Sequence, residues 1–361
     1  MEKELKKIYQ RKKEMQEFLK NFEEMPDRLL KYLEILLKRK DATPYSYQDT
    51  MSFRKLAIAL TSRCNKNCQW CYRFDPVYKD MLNKDLSFKK LEQFIKNTKG
   101  KFQLVHLGGL GEPTLYPRLF DVINISKKLS NKIKTTTNAS LLNKDFINKL
   151  VKSGLTHIEV SVWTSSEKQE KRIRNVDLKK TIKDIVYMAN ETPLDVQVNI
   201  TVCSSNYDKL PDLVDKLKKA KKLSLHTIPL FETAQCRKAG IKRVSVERYK
   251  KILTQIKNRI LKFDLKWNMF PTPEGSVVDP VIEMKRKLNI CFTCFEDPYI
   301  SGIGELFPCG REEPFGGGVN ITVGFEKAWN HPKLLKFRKN MLQGKYPPLC
   351  GKLCYLKEQK L

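Results

Sequence analysis

The chain has 361 residues, of which 41% are hydrophobic, and it carries 69 Lys and Arg against 40 Asp and Glu, a formal net charge of +29. A chain of this length buries one large core or two modest ones. No apolar stretch approaches the ~20 residues of a membrane-spanning helix, and the mixed-charge start has no apolar segment behind it, which argues against a secretory signal. Ten cysteines without such a signal indicate reduced thiols, so we expect a cytoplasmic location.

The basic excess has three candidate explanations: a lysine-rich composition, an acidic protein partner, or nucleic acid. Lysines far outnumber arginines and are spread along the whole chain. Nucleic-acid-binding proteins instead concentrate basic residues on one element, with aromatic residues interleaved. We therefore favour composition first, an acidic partner second and nucleic acid third.

The first fifty residues predict two amphipathic helices, roughly 2–21 and 26–39, that are separated near Pro26 and followed by a polar linker at 41–46. No strand pattern accompanies these helices. We therefore interpret them as a brace across one end of the following domain rather than as a module that binds a leader peptide.

Strand and helix patterns alternate from Leu56 to about Leu230. Six strand–helix units in succession predict an α/β fold, a parallel sheet curled into a partial (β/α)6 TIM-like barrel. In such barrels the chemistry gathers at the carboxyl ends of the strands. A helix at 245–262 and a strand near 263–269 are expected to follow. The six predicted strands are 56–60, 102–107, 132–137, 157–163, 195–203 and 222–230.

Three thiols follow the first predicted strand within eight residues, at Cys64, Cys68 and Cys71. A [4Fe–4S] cluster usually takes four cysteines, so three in one loop leave one iron open for another ligand. The alternative is zinc, which typically pairs one C-x2-4-C segment with a second pair elsewhere, so that Cys68 and Cys71 would form half of a site.

The spacing C-x3-C-x2-C resembles that of the radical S-adenosylmethionine (SAM) superfamily, in which SAM occupies the open iron. Tyr72 stands where that family usually places an aromatic residue beside the adenine. The second strand runs into Gly109-Leu110-Gly111-Glu112-Pro113, which is similar to the family motif that holds the SAM amino group. The resemblance implies SAM-binding roles for Gly109, Gly111, Glu112 and Pro113.

Three later strands carry further residues that the resemblance places near SAM. Asn138 lies in a Thr-Asn turn after the third strand, as in the family. By resemblance, Ser161 would contact the ribose and Arg174 would lie near the SAM carboxylate; a turn serine and a surface arginine are the alternatives. Asn199 on the fifth strand could point into the mouth of the barrel.

A second cysteine group lies near the carboxyl terminus, where Cys291 is followed by Gly304 and Cys309 and then by Cys350 and Cys354. Its arrangement resembles the entry of the SPASM and twitch extensions, which bind auxiliary [4Fe–4S] clusters. Five cysteines suit one cluster better than two, and we prefer the four-cysteine set without Cys294. A three-cysteine site on Cys291, Cys294 and Cys309 with an open iron, and a zinc site, are the alternatives. The members are Cys291, Cys294, Cys309, Cys350 and Cys354.

We accordingly divide the chain into an N-terminal helical extension (1–50), a radical SAM partial barrel (51–240), a connecting helix and strand (241–284) and a twitch/SPASM-like cluster domain (285–361). Four isolated residues have simpler interpretations. His106 and His226 are expected to be core histidines with satisfied hydrogen bonds, and Cys203 and Cys236 are expected to be buried thiols. A hydrogen-atom donor role for a cysteine is the lesser alternative.

The resemblance implies an enzyme that cleaves SAM reductively to a 5′-deoxyadenosyl radical and abstracts a substrate hydrogen. We expect a peptide or protein side chain as substrate, to be oxidised, crosslinked or epimerised with the help of the auxiliary cluster. A nucleotide, tRNA or small-molecule substrate is the alternative, and a non-catalytic iron–sulfur or zinc protein that binds nucleic acid is the competing class. The basic surface would suit an acidic flavodoxin or ferredoxin as electron donor.

Overall fold

The structure is a computed structural model, and it describes residues 53, 55–74, 76–230, 232, 234–265, 267–271, 294, 297–310, 317–342, 345, 347 and 350. The predicted helices 2–21 and 26–39 lie outside the described residues, as do Cys291 and Cys354. In the part of the chain that is described, no helix is both long enough and apolar enough to span a bilayer.

One ten-stranded sheet organises the described residues. Its first seven strands are parallel and lie side by side in chain order, while β8 is parallel to β1 on the other side and is continued by antiparallel β9 and β10. The strands are β1 (Leu56–Ala59), β2 (Val105–Gly108), β3 (Ile133–Thr137), β4 (His157–Ser161), β5 (Asp195–Val202), β6 (Ser224–Pro229), β7 (Asn268–Pro271), β8 (Tyr299–Ile300), β9 (Glu305–Phe307) and β10 (Val319–Asn320).

Helices connect the parallel strands, and most begin at a polar residue whose side chain accepts a hydrogen bond from the first turn, as at Ser87, Asn143 and Ser166. The connecting helices are α1 (Phe88–Asn97), α2 (Leu119–Ser126), α3 (Lys144–Ser153), α4 (Glu167–Arg174), α5 (Leu178–Glu191), α6 (Leu210–Leu217), α7 (Ala234–Lys238) and α8 (Val246–Lys262). Two further helices, α9 (Phe325–Trp329) and α10 (Pro332–Leu342), follow β10.

The two faces of the sheet differ in polarity. On β5, Val198, Ile200 and Val202 are buried in the hydrophobic core with the helices. Gln197 and Asn199 point to the opposite, concave face and are only half-buried. The convex face therefore supplies the core, and the concave face is left to polar side chains.

The structure confirms the predicted α/β class and all six predicted strands, with ends that differ by a few residues. The seventh strand is displaced from its predicted position near 263–269, because Phe263 caps α8 and Asp264 adopts a positive φ of 48° in the turn that follows. Strands β8–β10 join the same sheet as the barrel, and an aromatic group of Phe53, Phe102, Phe325 and Trp329 packs beneath them. The four domain boundaries stay predictions.

Candidate active site

A cavity of about 480 Å³ lies at the carboxyl ends of the parallel strands. This volume is in the range that encloses one small molecule. One wall is the loop after β1, another is the turn after β2, and the floor is the concave face of the sheet. Trp70 and Trp163 also line the cavity and stack against each other, with ring centroids 4.7 Å apart.

Cys64, Cys68 and Cys71 all line this cavity. The loop that carries them turns tightly, since the N–H of Cys71 donates to the carbonyl of Cys68 at 3.0 Å. Burial raises the pKa of Cys64 and raises that of Cys71 to about 12. Without a metal these two thiols therefore keep their protons, and a bound metal would supply the charge that holds them as thiolates.

The glycines of the turn after β2 let two loops approach closely. A Cβ on Gly111 would lie 2.3 Å from the carbonyl oxygen of Arg63 and 2.5 Å from that of Thr61, both in the loop that leads to the cysteines. Gly109 has φ of 132° and lies against Ala59. A side chain at Gly111 would push the turn away from the cysteine loop, and one at Gly109 would collide with the end of β1.

Glu112 is almost completely buried at the start of the 3-10 turn Pro113–Leu115. Its Oε1 accepts from the N–H and hydroxyl of Thr114 and from the hydroxyl of Thr137, at 3.2, 2.7 and 2.6 Å. Its Oε2 accepts from the N–H of Asn138 at 2.8 Å. Oε2 thus has one donor where Oε1 has three, and with a second lone pair it keeps room for a further donor.

The Thr-Asn turn after β3 joins the cysteine loop directly. The amide of Asn138 donates to Oδ1 of Asn65 at 3.0 Å and lies 3.9 Å from the sulfur of Cys64. Asn65 donates in turn to the hydroxyl of Ser140 at 2.9 Å. The predicted motifs after β1, β2 and β3 thus meet through specific hydrogen bonds.

Arg174, the last residue of α4, is buried and lines the cavity, so the surface-arginine alternative is wrong. Its guanidinium donates to the Ser161 carbonyl at 3.0 Å and to both oxygens of Glu170 at 3.2 and 3.1 Å. Burial opposes the charge, but Glu170 and the side chain of Cys68 outweigh it and keep the pKa of Arg174 above its ordinary value.

A polar network covers the floor of the cavity, and Glu159 is its centre. Its carboxylate accepts from Lys134 at 2.5 Å, Thr136 at 2.7 Å and Asn199 at 3.0 Å. Burial opposes its charge, but Lys134 and the other donors hold the pKa of Glu159 at about 2. The Glu159 carboxylate is therefore ionised, and the positive charge of Lys134 compensates its negative charge.

His106 completes this network. Because the Thr136 hydroxyl donates to Glu159, its oxygen accepts from Nε2 of His106 at 2.9 Å, which assigns the histidine proton to Nε2. Burial and the nearby Lys134 lower the pKa of His106 to about 3, so the ring is neutral. His106 is a satisfied histidine as predicted, and it also lines the cavity.

The structure brings eleven of the predicted site residues to this one cavity. Pro113 lies behind them, buried as the first residue of the turn that begins after Glu112. Sequence reasoning missed Lys66, Trp70, Thr136 and Trp163, which also line the cavity. The eleven are Cys64, Cys68, Cys71, Tyr72, Gly109, Gly111, Glu112, Asn138, Ser161, Arg174 and Asn199.

The described cysteines of the second group lie elsewhere: Cys294 is buried and Cys309 and Cys350 are half-buried, and none of them lines the cavity. Cys203 and Cys236 are buried thiols, as predicted. Within the described residues, no three His, Cys, Asp or Glu side chains converge closely enough to hold a single metal ion. Because Cys291 and Cys354 lie outside the described residues, the auxiliary cluster and its zinc alternative both stay predictions.

The cavity residues fit a [4Fe–4S] cluster and SAM. Three thiols share one wall, and each could bind a separate iron. The glycine turn brings backbone within reach of a ligand beside them, and Glu112 retains acceptor capacity for an ammonium group.

Comparison with known proteins agrees with this geometry. The sequence profile described as the radical SAM superfamily matches residues 58–217. One relative is the tungsten-containing aldehyde ferredoxin oxidoreductase cofactor-modifying protein of Pyrococcus furiosus, which is 27% identical over 168 residues. The match covers 44% of this chain and 46% of the relative, so the chain spans less than half of the relative's length. A GTP 3′,8-cyclase of Campylobacter jejuni is 26% identical over 262 residues, which cover 70% of this chain and 79% of the relative.

Among solved structures, Streptococcus suis SuiB bound to its precursor peptide SuiA is similar in fold. The match has a TM-score of 0.60 at 18% sequence identity and covers 90% of this chain and 72% of SuiB. The profile match begins in β1 and ends with α6, so it contains the cysteine loop, the glycine–glutamate turn and the Thr-Asn turn. Residues 58–217 therefore form a radical SAM domain, and the members of that superfamily are enzymes that use a [4Fe–4S] cluster and SAM.

Proposed function

We propose that this chain uses Cys64, Cys68 and Cys71 to hold a [4Fe–4S] cluster, and Glu112 to orient SAM at its open iron. When reduced, the bound cofactors supply a 5′-deoxyadenosyl radical that abstracts a hydrogen atom from a substrate. The observation that supports this most directly is that three separate strand ends deliver the cysteine loop, Glu112 and Asn138 to one cavity.

The protein's own contribution is position and enclosure. Glu112 is held by four hydrogen bonds, so its free acceptor site has a fixed direction toward an ammonium group. The stacked Trp70 and Trp163 give the cavity an apolar wall, which would keep water away from a reactive radical. Asn138 connects Glu112 to the cysteine loop, because its N–H donates to Glu112 and its amide contacts Cys64 and Asn65.

For the substrate we favour a polar, uncharged group such as a peptide side chain. Among the described residues, the cations that line the cavity are Lys66, which donates to the Asn175 carbonyl, and Arg174, which pairs with Glu170. Lys134, below the floor, is compensated by Glu159. A triphosphate would need several free cations on this floor. The floor instead offers neutral hydrogen-bonding groups from His106, Thr136 and Asn199, which suit an amide or hydroxyl. The peptide named in the SuiB structure is in keeping with this choice.

A nucleotide is the second candidate, because the similarity to GTP 3′,8-cyclases extends over most of both chains. The two can be separated by incubating the reduced enzyme and SAM with GTP or with short peptides encoded beside its gene. A peptide substrate should yield 5′-deoxyadenosine together with a mass change in the peptide. Release that depends on GTP alone would contradict the peptide proposal.

We further propose that Cys291, Cys309, Cys350 and Cys354 hold an auxiliary [4Fe–4S] cluster that accepts or relays an electron from the substrate. Support comes from their spacing, since two of the four lie outside the described residues. The Cys294→Ala variant should then keep the second cluster, whereas Cys350→Ala and Cys354→Ala should each lose it. Full iron content in both terminal variants would instead favour the three-cysteine site with an open iron.

The decisive experiment counts iron and SAM cleavage together. Anaerobically reconstituted protein should bind about eight irons and release 5′-deoxyadenosine on reduction, and the triple Ala variant of Cys64, Cys68 and Cys71 should bind about four and release none. Cys203→Ala is the matched control, because that thiol is buried outside the cavity. Zinc in place of iron, or cleavage by the triple variant, would contradict the proposal.

A further inference from the structure

A buried ion pair lies directly behind the cysteine loop. Arg174 and Glu170 are one helical turn apart on α4, and both side chains are almost completely buried. The guanidinium donates to Glu170 at 3.1 Å and lines the same cavity as Cys68, whose side chain is near enough to interact with it. Cys68 is the middle cysteine of the loop, so a permanently charged group lies against one of the three candidate cluster ligands.

The rest of the fold holds this pair rigidly. Glu170 also accepts from the backbone N–H groups of Trp163 and Thr164 at 2.6 and 3.1 Å, which attaches it to the segment after β4. On the other side of the helix end, Lys66 of the cysteine loop donates to the carbonyl of Asn175 at 2.7 Å. The cysteine loop is therefore fastened to the end of α4 at two points.

Packing alone does not require two charged side chains at this position. A buried ion pair costs several kcal/mol of desolvation per ion, and apolar side chains of similar size often replace such pairs without loss of stability. Its place between the backbone after β4 and the sulfur of Cys68 gives it another use. Hydrogen bonds and charges at cluster sulfurs are among the features that set the reduction potential of an iron–sulfur cluster.

We infer that Arg174 and Glu170 together set the reduction potential of the cluster on Cys64, Cys68 and Cys71. This inference rests on the proposed function. Reduction adds one negative charge to the cluster, so the guanidinium at Cys68 stabilises the reduced form and raises the potential. Glu170 partly cancels that charge and limits the increase. The role is distinct from a contact with the SAM carboxylate, because it acts when SAM is absent.

The test is a redox titration of the reconstituted protein without SAM, followed by electron paramagnetic resonance. Arg174→Gln should lower the midpoint potential, and Glu170→Gln should raise it. At a potential where the wild-type cluster is half reduced, each change should alter the ratio of reduced to oxidised cluster about tenfold, which is 59 mV for one electron. The double variant, which removes both charges, should fall between the two.

Opposite shifts are the signature, because a merely structural role would lower iron content in both variants without moving the potential in opposite directions. If Arg174→Gln loses the cluster, Glu170→Gln and the double variant still give the comparison, since they differ only at residue 174 and leave no unpaired carboxylate; the double variant should then have the lower potential. Equal potentials in all variants that hold a cluster would overturn the inference and leave the proposed function intact. A potential that is unchanged while SAM affinity falls would assign Arg174 to SAM instead. If the wild-type protein binds no cluster, the proposed function and this inference both fail.

Discussion

Glu112 illustrates how much the site depends on single side chains. Glu112→Gln keeps the shape of the side chain but removes its charge, so we expect SAM to bind ten- to a hundredfold more weakly, or ~1.5–3 kcal/mol for one charge-assisted hydrogen bond. Anaerobic equilibrium binding of SAM to the reconstituted protein measures this. Glu92→Gln is the control, because Glu92 is exposed on α1. Equal affinity in Glu112→Gln and wild type would remove Glu112 from the SAM site.

His106 makes the stability of the barrel sensitive to acid. Burial and Lys134 lower its pKa to about 3 in the folded protein, whereas an unfolded histidine takes up a proton near pH 6.5. As the pH falls below 6.5, the unfolded chain gains a proton that the folded chain does not, so the free energy of unfolding falls until about pH 3. Below about pH 4.5 the protonation of Glu159, whose pKa is about 2 in the folded protein, adds to the loss.

We therefore predict that His106→Gln, which can still donate to Thr136, flattens this dependence. Its unfolding free energy should change with pH by up to about 1.4 kcal/mol per pH unit less than that of wild type between pH 6 and 4.5. Urea unfolding across that range measures the difference, and His157 and His226 should supply the remaining slope, because burial lowers their pKa values as well. Parallel curves for the variant and wild type would show that His106 is protonated in the folded state.

At the scale of elements, the site depends on the close approach of two turns. Gly111→Ala would drive a methyl group into the backbone at Thr61 and Arg63, so the cysteine loop would have to move. We predict that this variant loses most of the iron bound at the loop, because the three thiols no longer share one wall with Glu112. Iron analysis and SAM binding after reconstitution are the measurements.

Gly302→Ala is the control for that experiment. Its Cβ would meet no atom closer than 3.9 Å, and the position has no strained backbone angle, so iron content should match that of wild type. If Gly111→Ala also retains full iron and SAM binding, the approach of the two turns is not what positions the cysteines.

At the scale of the whole molecule, one sheet serves two purposes. Its convex face is apolar and packs against the helices, and its concave face is polar and opens into the cavity. The formal charge of +29 is a second global property. Exposed charges act over ~8–10 Å at physiological ionic strength, so they can steer an acidic protein toward the surface.

We predict that an acidic flavodoxin reduces the cluster more slowly as salt rises. Added salt screens the attraction that brings the two proteins together, so the rate should fall steeply from low to high ionic strength. Stopped-flow absorbance under anaerobic conditions gives the rate, and a photoreduced deazaflavin of low charge is the control donor. A flavodoxin rate that does not respond to salt would make the basic excess a matter of composition alone.

The alternation of strands and helices was predictable because each pattern depends on neighbouring residues. The buried strands, the capped helices and the motifs at Cys64, Gly111 and Asn138 are local features, and the carboxyl ends of parallel strands meet at one edge of a sheet. The cysteine loop and the glycine turn could therefore be expected to lie together. The same local rules placed β7 a few residues too early, since the turn at Asp264 has no strong sequence signal.

Sequence alone thus determined the fold class, the radical SAM domain and the edge of the sheet where the motifs gather. Only the tertiary structure decided which polar residues act together. Arg174 could have been a surface side chain, yet packing of α4 buries it between Glu170 and Cys68. Lys134, Glu159 and Asn199 come from three strands, and only the register of those strands makes them one network. Such contacts join residues that are far apart in the chain, and the period of a single strand carries no information about its partners.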